Sequence, residues 1–343
     1  MSESNNNRIE YIDLAKGLGM LAVIWGHIMH GDWSYQLVYA FDIPLFFFLS
    51  GMVFVPEKYE SFTKFFKRRI KTLLIPYVIF SFVTWLFWIA YNIIFNSKPE
   101  SWVGPLLQTF IAQGSTGYFE HNSPLWFVSC LFVVEMVYFF LSMLDDRWNI
   151  AICVGAAIIG KLLIIPNQYV DFTALPWNIE SACSALIFYA IGNLFKRRMP
   201  EVARLNFVEK SKLKSVLSVL VLSGLLLAMA LLNGDVSLGS NHLGNSLIIY
   251  YVAGLCGTAS TLIFSRLLML ININKTMGLE NKPFIIRQFV EYIGKNSFYF
   301  MAIHVPIKRV FTAIVASLFH ETKLEVSSNI DTAFIMFVSP IVK

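Results

Sequence analysis

The sequence predicts an all-α, polytopic membrane protein of about ten transmembrane helices, with its N-terminus in the cytoplasm. Three observations predict it. Hydrophobic residues fill 56% of the 343 positions and charged residues only 14%, too little charge to cover a soluble domain of this size. Apolar runs of membrane-spanning length recur along the whole chain. Lysine and arginine concentrate in alternate loops. The mean hydropathy of +0.61 agrees. We expect one membrane domain over 1–343 with no separate soluble module. The opening MSESNNN is polar, and no small-residue cleavage site follows the first apolar run, so no signal peptide is expected.

The apolar runs lie near 14–31, 37–55, 72–95, 124–144, 149–165, 179–195, 214–232, 245–271 and 296–320. A tenth, from 330 to Lys343, is short for a hydrocarbon core of about 30 Å. It reads either as a half-helix held by neighbours or as a span cut short. With the N-terminus inside, the segments 1–13, 56–71, 145–148, 196–214 and 272–295 hold 19 Lys and Arg. The outer loops hold two, Lys98 and Lys323. That asymmetry sets the orientation.

The first run, RIEYIDLAKGLGMLAVIWGHIMH, keeps titratable groups on an apolar helix. Lys16 and His27 are eleven positions apart, about three turns with a residual rotation of about 20° and an axial separation of roughly 16 Å. They therefore share one face. Asp13 lies one turn before Lys16, in reach of an i,i+3 pair, and His30 lies one turn past His27. Such a stripe is costly in lipid, so it should face a protein interior or a wet cavity.

The second run, YAFDIPLFFFLSGMVF, carries Asp42, which either snorkels at the interface or lies near the first helix and its histidines. Six basic residues follow between Lys58 and Lys71, with Lys67, Arg68, Arg69 and Lys71 clustered against the membrane. Such a cluster is by default a topology anchor attracted to anionic lipid. Its arginines also suit phosphate, which accepts forked guanidinium donors.

The loop 96–123 carries Trp102, Tyr118, Glu120 and His121, then leads into SPLWFVSCLFVVE with Trp126 and Glu135. Aromatics with polar groups suit carbohydrate, though the membrane interface is the default place for Trp and Tyr. Glu135 falls mid-span and needs a partner or a wet cavity. Asn178 and Glu180 open the next helix, where a carboxylate complements the helix dipole. The loop 233–244 has turn composition, and its His242 reads as solvated. Pro283 suits the start of a short interfacial helix. The ninth run contains His304, Lys308 and Arg309. Two adjacent cations in a span should face a cavity or mark a break at Pro306. Cys130, Cys153, Cys183 and Cys256 all fall in apolar runs without metal spacing and read as small core residues. No metal site is expected, since no HExxH or cysteine cluster accompanies the His27/His30 pair.

A basic residue, ten intervening residues and a histidine on the first helix, in the wording YIDLAKGLGMLAVIWGH, resemble the acyltransferase 3 family of integral-membrane acyltransferases. The wording is most similar to its sugar O-acetylase, fucose O-acetylase-like branch. Further segments resemble the family: FDIPLFFFLSG, the basic cluster followed by Pro76 and Tyr77, LWF followed by Glu135, LPWNIESACSALIFYAIGNLFKRR, and GKNSFYFMAIHVPI. Together they cover nearly the whole chain. Two positions depart from the pattern: many relatives have arginine at Lys16 and histidine at Asp42.

The resemblance implies an acyl-CoA-dependent O-acetyltransferase of the bacterial plasma membrane. It implies transfer of an acyl group, acetyl first, from cytoplasmic acetyl-CoA or another acyl-CoA. The acceptor would be a hydroxyl of a cell-envelope or exported glycan, or of a lipid-linked saccharide. His27 and Lys16 would be catalytic, with His27 either a general base or itself acylated. Lys67, Arg68, Arg69 and Lys71 would hold the donor phosphates. Asp13, His30, Asp42, Tyr77, His121, Trp126, Glu135, Glu180, His304, Lys308 and Arg309 would support the site or face the acceptor. Membrane lipids are implied partners and nucleic acid is not. O-succinyl transfer to an exopolysaccharide is an alternative. From other classes, a solute transporter or a lipid- or regulator-binding protein with degenerate chemistry would also place polar groups inside spans.

Overall fold

The structure is a computed structural model, and it describes residues 10–28, 33–95, 98–112, 119–162, 175–270 and 285–319. His30, Tyr118, Pro283 and the run at 330–343 lie outside the described residues. Every regular element among the described residues is a helix; the one β-contact is an isolated antiparallel bridge between Ser237 and His242.

Six stretches among the described residues are long and apolar enough to cross a membrane: Trp33–Val53, Phe62–Ile94, Ser123–Leu141, Lys212–Asn233, Leu247–Leu270 and Ser297–Val315. Three further runs of the expected ten are helices outside that group, for physical reasons. Helix α1 (Glu10–Ile28) carries Asp13, Lys16 and His27. Helix α8 (Asp146–Leu162) has only 17 residues. Helix α9 (Ile179–Arg198) opens with Glu180 and closes with Lys196, Arg197 and Arg198.

The run at 37–55 is divided. Helices α2 (Trp33–Tyr39) and α3 (Asp42–Val53) meet at a turn over Ala40 and Phe41. The Ile43 N–H donates to Asp42 Oδ1 at 2.6 Å in the first turn of α3. Asp42 is buried there, not snorkelling to an interface.

Helix α4 (Phe62–Arg69) continues into α5 (Ile75–Ile94) through one wide π turn, Ile70–Leu74. Thr72 Oγ1 donates to the Arg68 carbonyl at 3.1 Å, and Pro76 has no N–H to offer the Thr72 carbonyl. Both changes remove α-type partners at the point where the helix widens. Helix α6 (Gly104–Ile111) and helix α7 (Trp126–Leu141) follow.

Helices α3 and α9 touch backbone to backbone. A Cβ on Gly51 would lie 2.0 Å from the Tyr189 carbonyl oxygen, and one on Gly192 would lie 2.1 Å from that of Phe48. Small residues are what permit so close an approach without a water-driven apolar force between helices. Asn193 completes the joint. Its Nδ2 donates to the carbonyls of Gly51 (3.2 Å) and Phe54 (3.0 Å), and Tyr138 Oη donates to its Oδ1 at 3.1 Å. Asn193 thus serves the Phe54 carbonyl and gives the Gly51 carbonyl a second donor beside the Phe54 N–H at 3.2 Å.

The short helices α10 (Pro200–Ala203) and α11 (Asn206–Lys210) lead to the paired spans α12 (Lys212–Asn233) and α13 (Leu247–Leu270). Helix α14 (Ile285–Lys295) packs on α1, with Gly17 against the Val290 carbonyl and Gly294 against the Asp13 carbonyl.

Helix α15 (Ser297–Phe319) runs through Pro306 without a break. Pro306 removes the N–H that would bond the Ala302 carbonyl. Asn122 Nδ2 takes that carbonyl instead, at 2.6 Å. A donor from outside the helix restores the lost bond, so the helix persists.

Candidate active site

Helix α1 presents Lys16, Met20, Val23 and His27 to a cavity of about 200 Å³. These positions follow the i, i+4, i+7, i+11 spacing of one helical face. The opposite wall is Ile43, Phe46 and Ser50 of α3. Leu73, from the π turn, closes one side, and Trp126, Phe127 and Leu131 of α7 close another. Phe298 and Met301 of α15 complete the lining. The structure thus brings Lys16 and His27 to one cavity. Trp126 reaches it because its indole lies over Gly239, where a Cβ would sit 2.8 Å from the ring.

His27 is surrounded by aromatic and cationic groups. Its ring lies 5.0 Å from the His304 ring and 6.3 Å from the Tyr39 ring, centroid to centroid. Lys308 Nζ donates to the His27 carbonyl. His304 Nδ1 lies 2.9 Å from the Met301 carbonyl and 3.1 Å from that of Phe300. A carbonyl only accepts, so Nδ1 carries the proton in the neutral ring and Nε2 is left as the acceptor. That Nε2 is buried and has no hydrogen-bond partner among the described residues.

The adjacent cations of α15 have separate partners, both on backbone. Lys308 holds the end of α1, and Arg309 donates to the carbonyls of Glu120 and His121, the latter at 3.2 Å. Carbonyl oxygens take the place of water for charges that lipid cannot solvate. His121 is fully buried beside Phe119, their rings 4.8 Å apart. Burial, aided by the Arg309 charge, pushes its imidazole down to about 4. Phe119 in turn stacks on Tyr77, whose Oη donates to the Thr109 carbonyl at 2.6 Å.

The basic cluster divides. Lys67, Arg68 and Lys71 are exposed, and the Arg68 guanidinium lies 5.8 Å from the Tyr59 ring centre. Arg69 turns inward. Its Nε lies 2.7 Å from Glu135 Oε2, close enough for a charge pair although the N–H is not aimed at that oxygen. Glu135 therefore has the partner its mid-span position requires. Glu180 accepts the Leu175 N–H at 3.1 Å in the first turn of α9, away from the cavity lining. Asp13 is buried against α14. Asp42 is not in the cavity lining, but its carboxylate accepts the N–H of Ile43, which is.

Among the contributors that escaped sequence reasoning are Tyr39 against His27, most of the apolar lining, Leu73 included, and Asn122 on Ala302. Pro306 does signal that some donor must serve the Ala302 carbonyl, but it does not say which one.

An all-helical membrane protein with a lysine and a histidine facing one cavity between its helices is the class these features define. The chain belongs to the acyltransferase 3 family: the family's acyltransferase domain matches residues 9–342. It is a membrane acyltransferase. No curated protein and no solved structure matches the chain.

Proposed function

We propose that this acyltransferase moves an acetyl group from cytoplasmic acetyl-CoA to a hydroxyl of a cell-envelope or exported glycan, as the sugar O-acetylase branch would. One observation carries the reading: Lys16 and His27 line the same cavity, at spaced positions on one face of α1. In this reading the acceptor hydroxyl enters beside His27, which takes its proton as the oxygen attacks the thioester carbonyl. The new C–O bond forms and the C–S bond breaks. The proton then passes from His27 to the departing thiolate of coenzyme A. Lys16 screens the negative charge that develops on the carbonyl oxygen or on the donor phosphates. Lys67, Arg68 and Lys71 are exposed on one short stretch and suit the donor's phosphates.

The protein sits in the bacterial plasma membrane, with the N-terminus and the 56–71 and 196–214 segments cytoplasmic. The distribution of Lys and Arg supports this. Cysteine labelling of intact cells should then succeed at Ser123 and Ser240 and fail at Ser61.

The test of the reaction uses purified protein with radiolabelled acetyl-CoA and, in parallel, succinyl-CoA. Acetyl transfer to glycan should be lost in His27→Ala and Lys16→Ala, and retained in Lys16→Arg. Near-normal transfer by His27→Ala would remove His27 from the mechanism. A preference for succinyl-CoA would change the acyl group but not the reaction. Failure to consume either donor would reject acyl-CoA as the source.

A further inference from the structure

Helix α1 is described as far as Ile28, and the backbone of its last described turn includes the His27 carbonyl. Lys308 Nζ donates to it, across 281 positions of sequence. One turn before Lys308, His304 sets its ring 5.0 Å from His27, and Met301, one turn further back, lines the cavity. Positions 301, 304 and 308 share one face of α15, and that face runs along the last turn of α1. His304 is itself fixed by the Phe300 and Met301 carbonyls. Tyr39 of α2 meets His27 as well. Of these contacts, His304 and Tyr39 meet the ring, and Lys308 grips the backbone that carries it. Lys308 is not part of the cavity lining.

We propose that Lys308 is a positioning residue for His27. Its ammonium holds the last turn of α1 at the register in which the imidazole faces the acceptor hydroxyl. The inference rests on the reading of His27 as the base. A lysine in a membrane span is costly unless its charge has a fixed partner, and a backbone carbonyl with its partial negative charge is such a partner. A neutral side chain of similar length leaves the cavity lined as before but releases the His27 backbone. A misplacement of about 1 Å at a reacting group lowers turnover by as much as ~100-fold.

The experiment compares purified wild type, His27→Ala, Lys308→Met and Lys308→Arg. Turnover is expressed per folded molecule, and acyl-CoA affinity is measured separately. Carbethoxylation of His27 by diethyl pyrocarbonate, read by mass spectrometry, reports the imidazole without requiring turnover. Lys308→Met should keep its acyl-CoA affinity, lose turnover by roughly 10- to 100-fold, and change the carbethoxylation rate of His27. Lys308→Arg, which still donates to a carbonyl, should recover part of the loss. Normal turnover in Lys308→Met while His27→Ala is inactive would overturn the role of Lys308. Turnover surviving in His27→Ala would instead remove the base; the carbethoxylation rate then decides, and an unchanged rate in Lys308→Met overturns the positioning role. Should Lys308→Met fail to fold, Lys308→Leu, which also lacks a donor, takes its place and is read in the same way.

Discussion

Asn122 Nδ2 donates to the Ala302 carbonyl at 2.6 Å, and Ala302 is the residue that Pro306 deprives of its helical N–H. The two facts belong together. A proline inside a span is tolerable when another segment supplies the missing donor. Asn122→Ala should therefore lower stability by about 1–3 kcal/mol, the cost of a buried unpaired carbonyl. In a Pro306→Ala background the same substitution should cost much less, because the helix then satisfies Ala302 itself. Thermal unfolding of the four proteins in detergent gives the coupling directly. Additive losses would separate Asn122 from Pro306.

His121 predicts a pH dependence. Its folded-state pKa is about 4, against an ordinary value of 6.5. The folded protein keeps the ring neutral, while the unfolded chain takes up a proton below pH 6.5. Stability should therefore fall as pH drops from 6.5 towards 4, by roughly 3 kcal/mol at most, and level off below that. His121→Gln should flatten this part of the unfolding-against-pH curve. An unaltered slope in the variant would assign the titration to another group.

The joint between α3 and α9 leaves no room for a side chain. Gly192→Leu and Gly51→Leu place carbon within about 2 Å of a facing carbonyl oxygen and should abolish the folded peak in size-exclusion chromatography. Gly224→Ala is the control. A Cβ there meets nothing within 4 Å, and alanine favours the helix by up to about 1 kcal/mol. Its yield should equal or exceed that of the wild type.

Arg69 should behave differently from its neighbours. It faces the buried Glu135, and its removal leaves that carboxylate unpaired, at a cost of roughly 3–5 kcal/mol. Arg68→Gln, on an exposed side chain, should change stability by less than about 0.5 kcal/mol. Adding Glu135→Gln to Arg69→Gln should restore part of the loss. Thermal unfolding measures all three. Acyl-CoA affinity in Arg68→Gln then tests phosphate binding without a change in the fold.

The sequence by itself determined that the chain is helical and membrane-embedded, and that Lys16 and His27 look the same way. Composition and the 3.6-residue period are local properties, and the face shared by two residues of one helix needs no knowledge of the rest. Only the tertiary structure decided which charge meets which partner. Arg68 and Arg69 are adjacent in sequence, yet Arg68 stays at the surface and Arg69 turns in to Glu135. Lys308 and Arg309 are adjacent too, and one holds the end of α1 while the other holds the segment before α7. A hundred-degree step between successive residues sends neighbours to different sides of a helix. What waits on each side is set by helices packed from distant parts of the chain, whose order in space no run of residues records.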